Sequence, residues 1–278
     1  MIEGYSRRGT NVHPDFIGIN LNGGHGHIVR GNAIWEANYT GISIGGGNLP
    51  TGDITIEDNV IEYVDAQDQG FGIYTFAANG MSIPNVIIRR NLISRTKNHA
   101  LYLRSLRDSV VEDNIIRNAC LVPGAAIKVA HDQLGSNEGL RIQRNSISDF
   151  FASMLYGIEV ASLNKAVWVE DNCIEGAITA PILNSAGGEM IFASRGTACS
   201  ATTVPIVINE WMADNSGIVI DPADGDSDDW IELKNNADFS VNLSGYFLSE
   251  SEGNKFKFEI PFSRSYVIPP SGIPDRAS

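Results

Sequence analysis

One phrase recurs six times along the 278 residues, and a chain built this way can only bury its apolar groups by stacking. Its copies are Ile28-Val29-Arg30-Gly31-Asn32-Ala33-Ile34, Ile54-Thr55-Ile56-Glu57-Asp58-Asn59-Val60-Ile61, and Val86-Ile87-Ile88-Arg89-Arg90-Asn91-Leu92-Ile93. The other three are Val110-Val111-Glu112-Asp113-Asn114-Ile115-Ile116, Leu140-Arg141-Ile142-Gln143-Arg144-Asn145-Ser146-Ile147 and Val167-Trp168-Val169-Glu170-Asp171-Asn172-Cys173-Ile174. Successive Asn positions differ by 27, 32, 23, 31 and 27 residues. A second phrase lies between them: Gly18-Ile19-Asn20-Leu21, Gly41-Ile42-Ser43-Ile44, Gly72-Ile73-Tyr74-Thr75, Ala100-Leu101-Tyr102-Leu103, Ala126-Ile127-Lys128-Val129 and Gly157-Ile158-Glu159-Val160. A degenerate further copy is Pro181-Ile182-Leu183-Asn184.

Both phrases alternate apolar and polar residues, the period of a strand with one buried face, and helical spacing is absent. Units with strands this short cannot cover their own apolar faces. Stacking them at about 4.8 Å pairs each strand with its copies above and below and builds one continuous core. The Asn (32, 59, 91, 114, 145 and 172) is expected at a tight corner, where it tolerates a left-handed backbone and bonds to its copies in neighbouring coils as a ladder. The uneven spacing assigns loops to the segments between the phrases, such as Asn79–Ser82 and Asp132–Asn137.

On these two phrases, residues 1–195 resemble the right-handed parallel β-helix proteins of the pectate-lyase-like superfamily. That resemblance implies a solenoid of six to seven coils. It implies no single activity, because the group spans polysaccharide-active enzymes, adhesins and non-catalytic surface proteins. Ile2-Glu3-Gly4 aligns with Ile174-Glu175-Gly176, so Met1 falls one place after an anchor position. Upstream coils, and any signal peptide, are therefore expected ahead of Met1.

After a small polar linker at 196–203 the repeat stops. Residues 204–278 carry alternating strands separated by turn residues, the pattern of an antiparallel sandwich. The phrases Asp229-Trp230-Ile231-Glu232-Leu233 and Leu243-Ser244-Gly245-Tyr246 resemble the lamin tail domain, an immunoglobulin-like sandwich of nuclear lamins and many bacterial extracellular proteins. Copies in that family continue past the Ile268-Pro269-Pro270 segment, so the sandwich is expected to be incomplete. The fold class expected is therefore all-β: a right-handed parallel β-helix followed by an incomplete lamin-tail-like sandwich.

The formal charge of −13 and the lack of a basic stripe exclude nucleic acid as an expected partner. No run of about eighteen apolar residues offers a membrane span. Three cysteines (Cys120, Cys173, Cys199) make neither a disulfide framework nor a zinc site, and allow one bridge in an oxidising compartment. Location outside the cell or on its surface is expected from the resemblances, with a monomeric state. The acidic loop Asp221–Asp229 spaces Asp224, Asp226 and Asp228 like a calcium loop, but lacks the glycine and the terminal glutamate of the EF-hand. Calcium is thus a possible ligand, and a solvated turn is the alternative.

Chemistry is expected on the outward positions of the second phrase. One column reads Asn20, Ser43, Tyr74, Tyr102, Lys128, Glu159, and the next reads Asn22, Gly45, Phe76, Arg104, Ala130, Ala161. His99 precedes the strand, while His131 and Asp132 follow it. Aromatic rings stack on sugar faces and cations hold uronate carboxylates, so the expected partner is a polysaccharide or cell-surface glycan. For β-elimination, Arg104 would neutralise the carboxylate, Lys128 or His131 would remove the adjacent proton, and Tyr102 would protonate the leaving oxygen. Tyr74, Phe76, His99, Asp132 and Glu159 would complete the binding surface. Hydrolysis by Asp132 and Glu159 is the rival mechanism. Two alternatives have no catalysis in them: a Lys128–Glu159 surface ion pair, and an adhesin or scaffold in which the patch is incidental.

Overall fold

A computed structural model describes residues 17–35, 37–45, 49–64, 69–78, 80–131, 135–149, 151–185 and, as backbone, 190–193. In the remainder it describes 206–217, 220, 225–236, 241–243, 247–251, 253–254, 257–260 and 266–269. The chain forms two compact units, Met1–Ser200 and Ala201–Ser278.

In the first unit, three parallel sheets run along a solenoid. The first contains Ile17–Leu21, Thr40–Gly45, Phe71–Phe76, Leu101–Leu103, Gly124–Val129, Met154–Val160 and Ala180–Asn184, hydrogen-bonded in chain order. The second contains Ile28–Arg30, Ile54–Glu57, Val86–Arg89, Leu106–Glu112, Glu138–Gln143, Lys165–Glu170 and Met190–Ala193. The third, Ala33–Trp35 to Cys173–Glu175, follows each recurring corner Asn. Register is that of the repeat: Ile42 pairs Ile73, Leu101 pairs Ile127, and Ile88 pairs both Ile56 and Val111. The inward Ile, Leu and Val side chains from all three sheets are sealed from water as one core. Each such side chain contributes about 1.5–3 kcal/mol on burial, which is what holds the stack.

The small residue that opens each second phrase has a steric cause. A Cβ on Gly72 would lie 2.6 Å from Ile93 Cγ2, and one on Gly41 would lie 2.5 Å from Ile61 Cγ2. The first sheet enters these coils across the isoleucine of the third, and there only Gly leaves that room.

The asparagine ladder forms as expected. Nδ2 and the backbone N–H of each rung donate to Oδ1 of the next, from Asn32 through Asn59, Asn91, Asn114 and Asn145 to Asn172. The left-handed residue, however, is not the Asn. It is the one before: Gly31, Asp58, Arg90, Asp113, Arg144 and Asp171 have φ of 49–65°. The Asn therefore serves as a bracket for the turn made by its neighbour. A second, shorter ladder was not anticipated: Leu106 N–H donates to Asn137 Oδ1, and Asn137 to Asn164 Oδ1.

The pairs of residues ahead of the Asn alternate in charge from coil to coil: Glu57-Asp58, Arg89-Arg90, Glu112-Asp113, then Arg144. Buried Glu57 accepts from Arg30, Arg89 and Arg90, Asp58 from Arg90, and Arg144 donates to Glu112 and Asp113. A coil slipped by one rung would bring like charges together, so this ladder reinforces the order of stacking.

In the second unit the described residues make three antiparallel pairs. Ile206–Met212 pairs with Trp230–Asn235, Val241–Asn242 with Val267–Ile268, and Phe247–Leu248 with Phe258–Glu259. Val241, Leu243, Ile260 and Ile268 form its small core, against which Ile206, Leu233 and Leu248 pack.

Candidate functional site

The first sheet carries the predicted columns on its outer face. Parallel pairing sets Ser43 beside Tyr74, Tyr74 beside Tyr102, Tyr102 beside Lys128, and Lys128 beside Glu159. Gly45 lies beside Phe76. Strand alternation thus delivers to one face side chains that are far apart in sequence.

In the middle coils these side chains form a continuous aromatic cluster. Tyr102 stacks on Phe71 with ring centroids 4.7 Å apart, and on His99 at 5.3 Å. Tyr74 lies 5.7 Å from Tyr102 and 5.5 Å from Phe76. The Arg104 guanidinium sits over three of the rings, 5.3 Å from Tyr74 and Phe76 and 5.6 Å from Tyr102, and donates to the Tyr74 hydroxyl. Burial raises the Tyr74 phenol above its ordinary range, against the pull of Arg104, so it remains a hydroxyl at neutral pH.

A groove of about 390 Å³ opens beside this cluster. The coil that carries Ser43 and Gly45 adjoins the coil that carries Tyr74 and Phe76, and the step from small to large side chains leaves the space. Asn20, Asn22, Ser43, Tyr39, Tyr74, Phe76 and Arg104 contribute to its wall, with Ile17 and Gly45. Asn20, Asn22, Ser43 and Gly45 belong to the two columns written from the sequence, but Tyr39 and Ile17 do not. Phe71 too was missed: it stands outside the two columns written from the sequence, yet its ring stacks on Tyr102.

The remaining predicted residues divide. Lys128 and Glu159 form an ion pair, so the ammonium assigned to proton removal is already engaged by a carboxylate. His99 joins the aromatic cluster and donates through Nδ1 to the Ala125 carbonyl at 2.6 Å. His131 lies two residues past the Gly124–Val129 strand, and its Nδ1 is buried with no partner among the described residues. Asp132 lies outside the described residues.

The residue types that ligate metals are not gathered in one place among the described residues. His25 Nδ1 donates to Asp53 at 2.9 Å, and Asn85 donates to the same carboxylate, whereas His27 bonds to the Gly23 carbonyl. Asp224 lies outside the described residues, and the Asp228 carbonyl accepts from Asn215. No group of three or more His, Cys, Asp or Glu side chains suited to a metal occurs among the described residues. Cys173 is disulfide-bonded and Cys120 is a buried free thiol, raised in pKa chiefly by desolvation. Among the described residues no helix is long and apolar enough to cross a membrane.

Comparison with known proteins adds the family. No curated protein and no solved structure matches the chain. The family described as right handed beta helix region matches residues 8–194, the greater part of the chain. With the recurring Asn corners, the parallel register and the sealed core of the same residues, this match shows that the chain belongs to the right-handed β-helix family.

Proposed function

We propose that the outer face of the first sheet engages an extracellular polysaccharide carrying uronate residues. The observation that carries this reading is the groove bounded by Tyr39, Tyr74, Phe76, the Arg104 guanidinium and the polar side chains of Asn20, Asn22 and Ser43. Rings suit the C–H faces of a pyranose, amides and a hydroxyl suit its hydroxyl groups, and a guanidinium suits its carboxylate. Lyase-type β-elimination fits the face better than hydrolysis. Hydrolysis needs two carboxylates across a bond, and Glu159 is engaged by Lys128. The disulfide at Cys173 supports an oxidising compartment, and hence a location at or beyond the cell surface.

The second unit is read as a lamin-tail-like accessory module. Support comes from the antiparallel pairing of the strand that holds Trp230-Ile231-Glu232-Leu233, and from Asn235, which donates to the Ile268 and Pro269 carbonyls across the small core. A non-catalytic adhesin or scaffold is the second reading, favoured by the Lys128–Glu159 pair, which satisfies both charges without a ligand.

Affinity electrophoresis through gels containing polygalacturonate, alginate or a neutral glucan separates the two. The polysaccharide reading predicts retardation by a polyuronate, reduced at least about tenfold in affinity by Tyr74→Ala and by Arg104→Ala, since a desolvated stacking or charged contact is worth upwards of 1.4 kcal/mol. Migration unaffected by any glycan would favour the scaffold.

A further inference from the structure

We infer that Ser43 decides which uronate the groove accepts, through a hydrogen bond between its hydroxyl and one ring hydroxyl of the sugar held there. The inference rests on the polysaccharide reading and deepens it, by naming the residue that tells one polyuronate from another of equal charge.

Ser43 stands at the base of the groove. Of the polar residues in the wall it is the buried one, at 5% exposure, whereas Tyr39, Tyr74 and Arg104 are half-buried and Asn20 and Asn22 are exposed. Parallel register sets it between Asn20 and Tyr74 in one column. It has the smallest side chain of that column, and Gly45, two residues on, carries none. The floor of the groove is therefore low at this coil and ends in a hydroxyl.

That hydroxyl is not used by the fold. Among the described residues it has no hydrogen-bond partner, and it is not one of the polar atoms cut off from solvent. Other buried hydroxyls of the solenoid are engaged. Ser109 donates to the Arg107 carbonyl and accepts from the Val86 N–H, Ser94 donates to Glu62, and Thr75 donates to the Arg104 carbonyl. A largely buried polar group costs free energy until it is paired. Ser43 lines the groove, so its partner comes from there: water while the groove is open, and a sugar hydroxyl once a ligand displaces that water.

The same geometry makes the contact selective. Arg104 can hold any uronate carboxylate alike. A hydroxyl fixed at the base of the groove is stricter, because it meets a ring hydroxyl of one configuration and is left unpaired against the other.

The test measures Kd by affinity electrophoresis of the full chain in polygalacturonate, polymannuronate and polyguluronate, which carry one carboxylate per sugar and differ in configuration at their ring carbons. The wild type is expected to prefer one of them by at least about tenfold. Ser43→Ala should weaken binding of that polymer about five- to tenfold and of the others less than about twofold, so that most of the preference disappears. Ser43→Thr, which keeps a hydroxyl, should keep the preference, and Arg104→Ala should weaken all three polymers alike. The thermal midpoint of Ser43→Ala should equal that of the wild type, since no bond within the fold is lost. A preference retained in Ser43→Ala would overturn the inference, as would a lowered midpoint, which would give the hydroxyl to the fold. Equal wild-type affinity for the three polymers would also overturn it and leave the polysaccharide reading standing. Migration unaffected by any polyuronate would remove that reading and the inference with it.

Discussion

The side-chain amide of Asn91 accepts from the N–H and Nδ2 of Asn59 and donates to the Ile56 carbonyl and to Asn114, all out of contact with water. Alanine there would take the acceptor from two buried donors of Asn59, its N–H and Nδ2, and a donor from the Ile56 carbonyl and from Asn114 Oδ1. Asn91→Ala is expected to cost about 2–4 kcal/mol in urea unfolding, and Asn32→Ala, at a partly exposed rung, less than about 1 kcal/mol. Equal losses at both sites would contradict the ladder as an energetic unit. The recurrence of this Asn was plain in the sequence, but its conformational role was not. A repeat marks a corner without saying which of two adjoining residues turns, and the left-handed position is held by Gly, Asp and Arg alike. Ala166 occupies a left-handed position too, at φ 48°, in a column with Gly26, Asp53, Asn85, Asp108 and Gly139. Ala166→Gly should therefore raise the thermal midpoint, by up to about 1 kcal/mol of stability, because relief of the Cβ clash exceeds the added chain entropy.

Along the sheets, two buried glutamates respond to pH in opposite directions. Burial would raise the Glu57 pKa, but hydrogen bonds from Arg89 and Arg30 overcome it and hold the carboxyl at about 2. Its contribution is present above its unfolded value of about 4.5 and is lost as the pH falls toward 2. Glu62, on the third sheet, is sealed from solvent, and burial raises it to about 8 despite Ser94, Arg95 and Arg117. The folded protein keeps this proton between about 4.5 and 8 while the unfolded chain releases it, so stability declines as pH rises through that window. Glu62→Gln is expected to match the wild type at pH about 4 and to exceed it by about 1–3 kcal/mol at pH about 8. A variant less stable at both pH values would show that the carboxylate form is the one the fold requires. At this scale the outward columns were legible, because strand alternation fixes which residues share a face. The groove was not, since it arises from a difference in side-chain volume between neighbouring coils, Ser43 and Gly45 against Tyr74 and Phe76. The engagement of Lys128 by Glu159 was foreseen only as one alternative, as strand register gives adjacency but not the rotamers that close a pair.

For the whole molecule, stacking supplies the stability, and the proposed recognition surface is one face of the stack. Across the described residues the solenoid was legible because successive coils repeat the same apolar spacing. In the second unit the alternating pattern foretold antiparallel strands, which the described residues form in pairs, while the lamin-tail reading rests on two short phrases. The disulfide at Cys173 joins the account here: thiol reductants should lower the thermal midpoint, and Cys173→Ser should remove that sensitivity. The most direct measurement is a crystal structure of the protein soaked with a uronate oligosaccharide at saturating concentration. The account predicts density for a sugar in the groove, with its ring against Tyr74 or Phe76 and its carboxylate on Arg104. A groove left empty while sugar occupies another surface, or none, would contradict it.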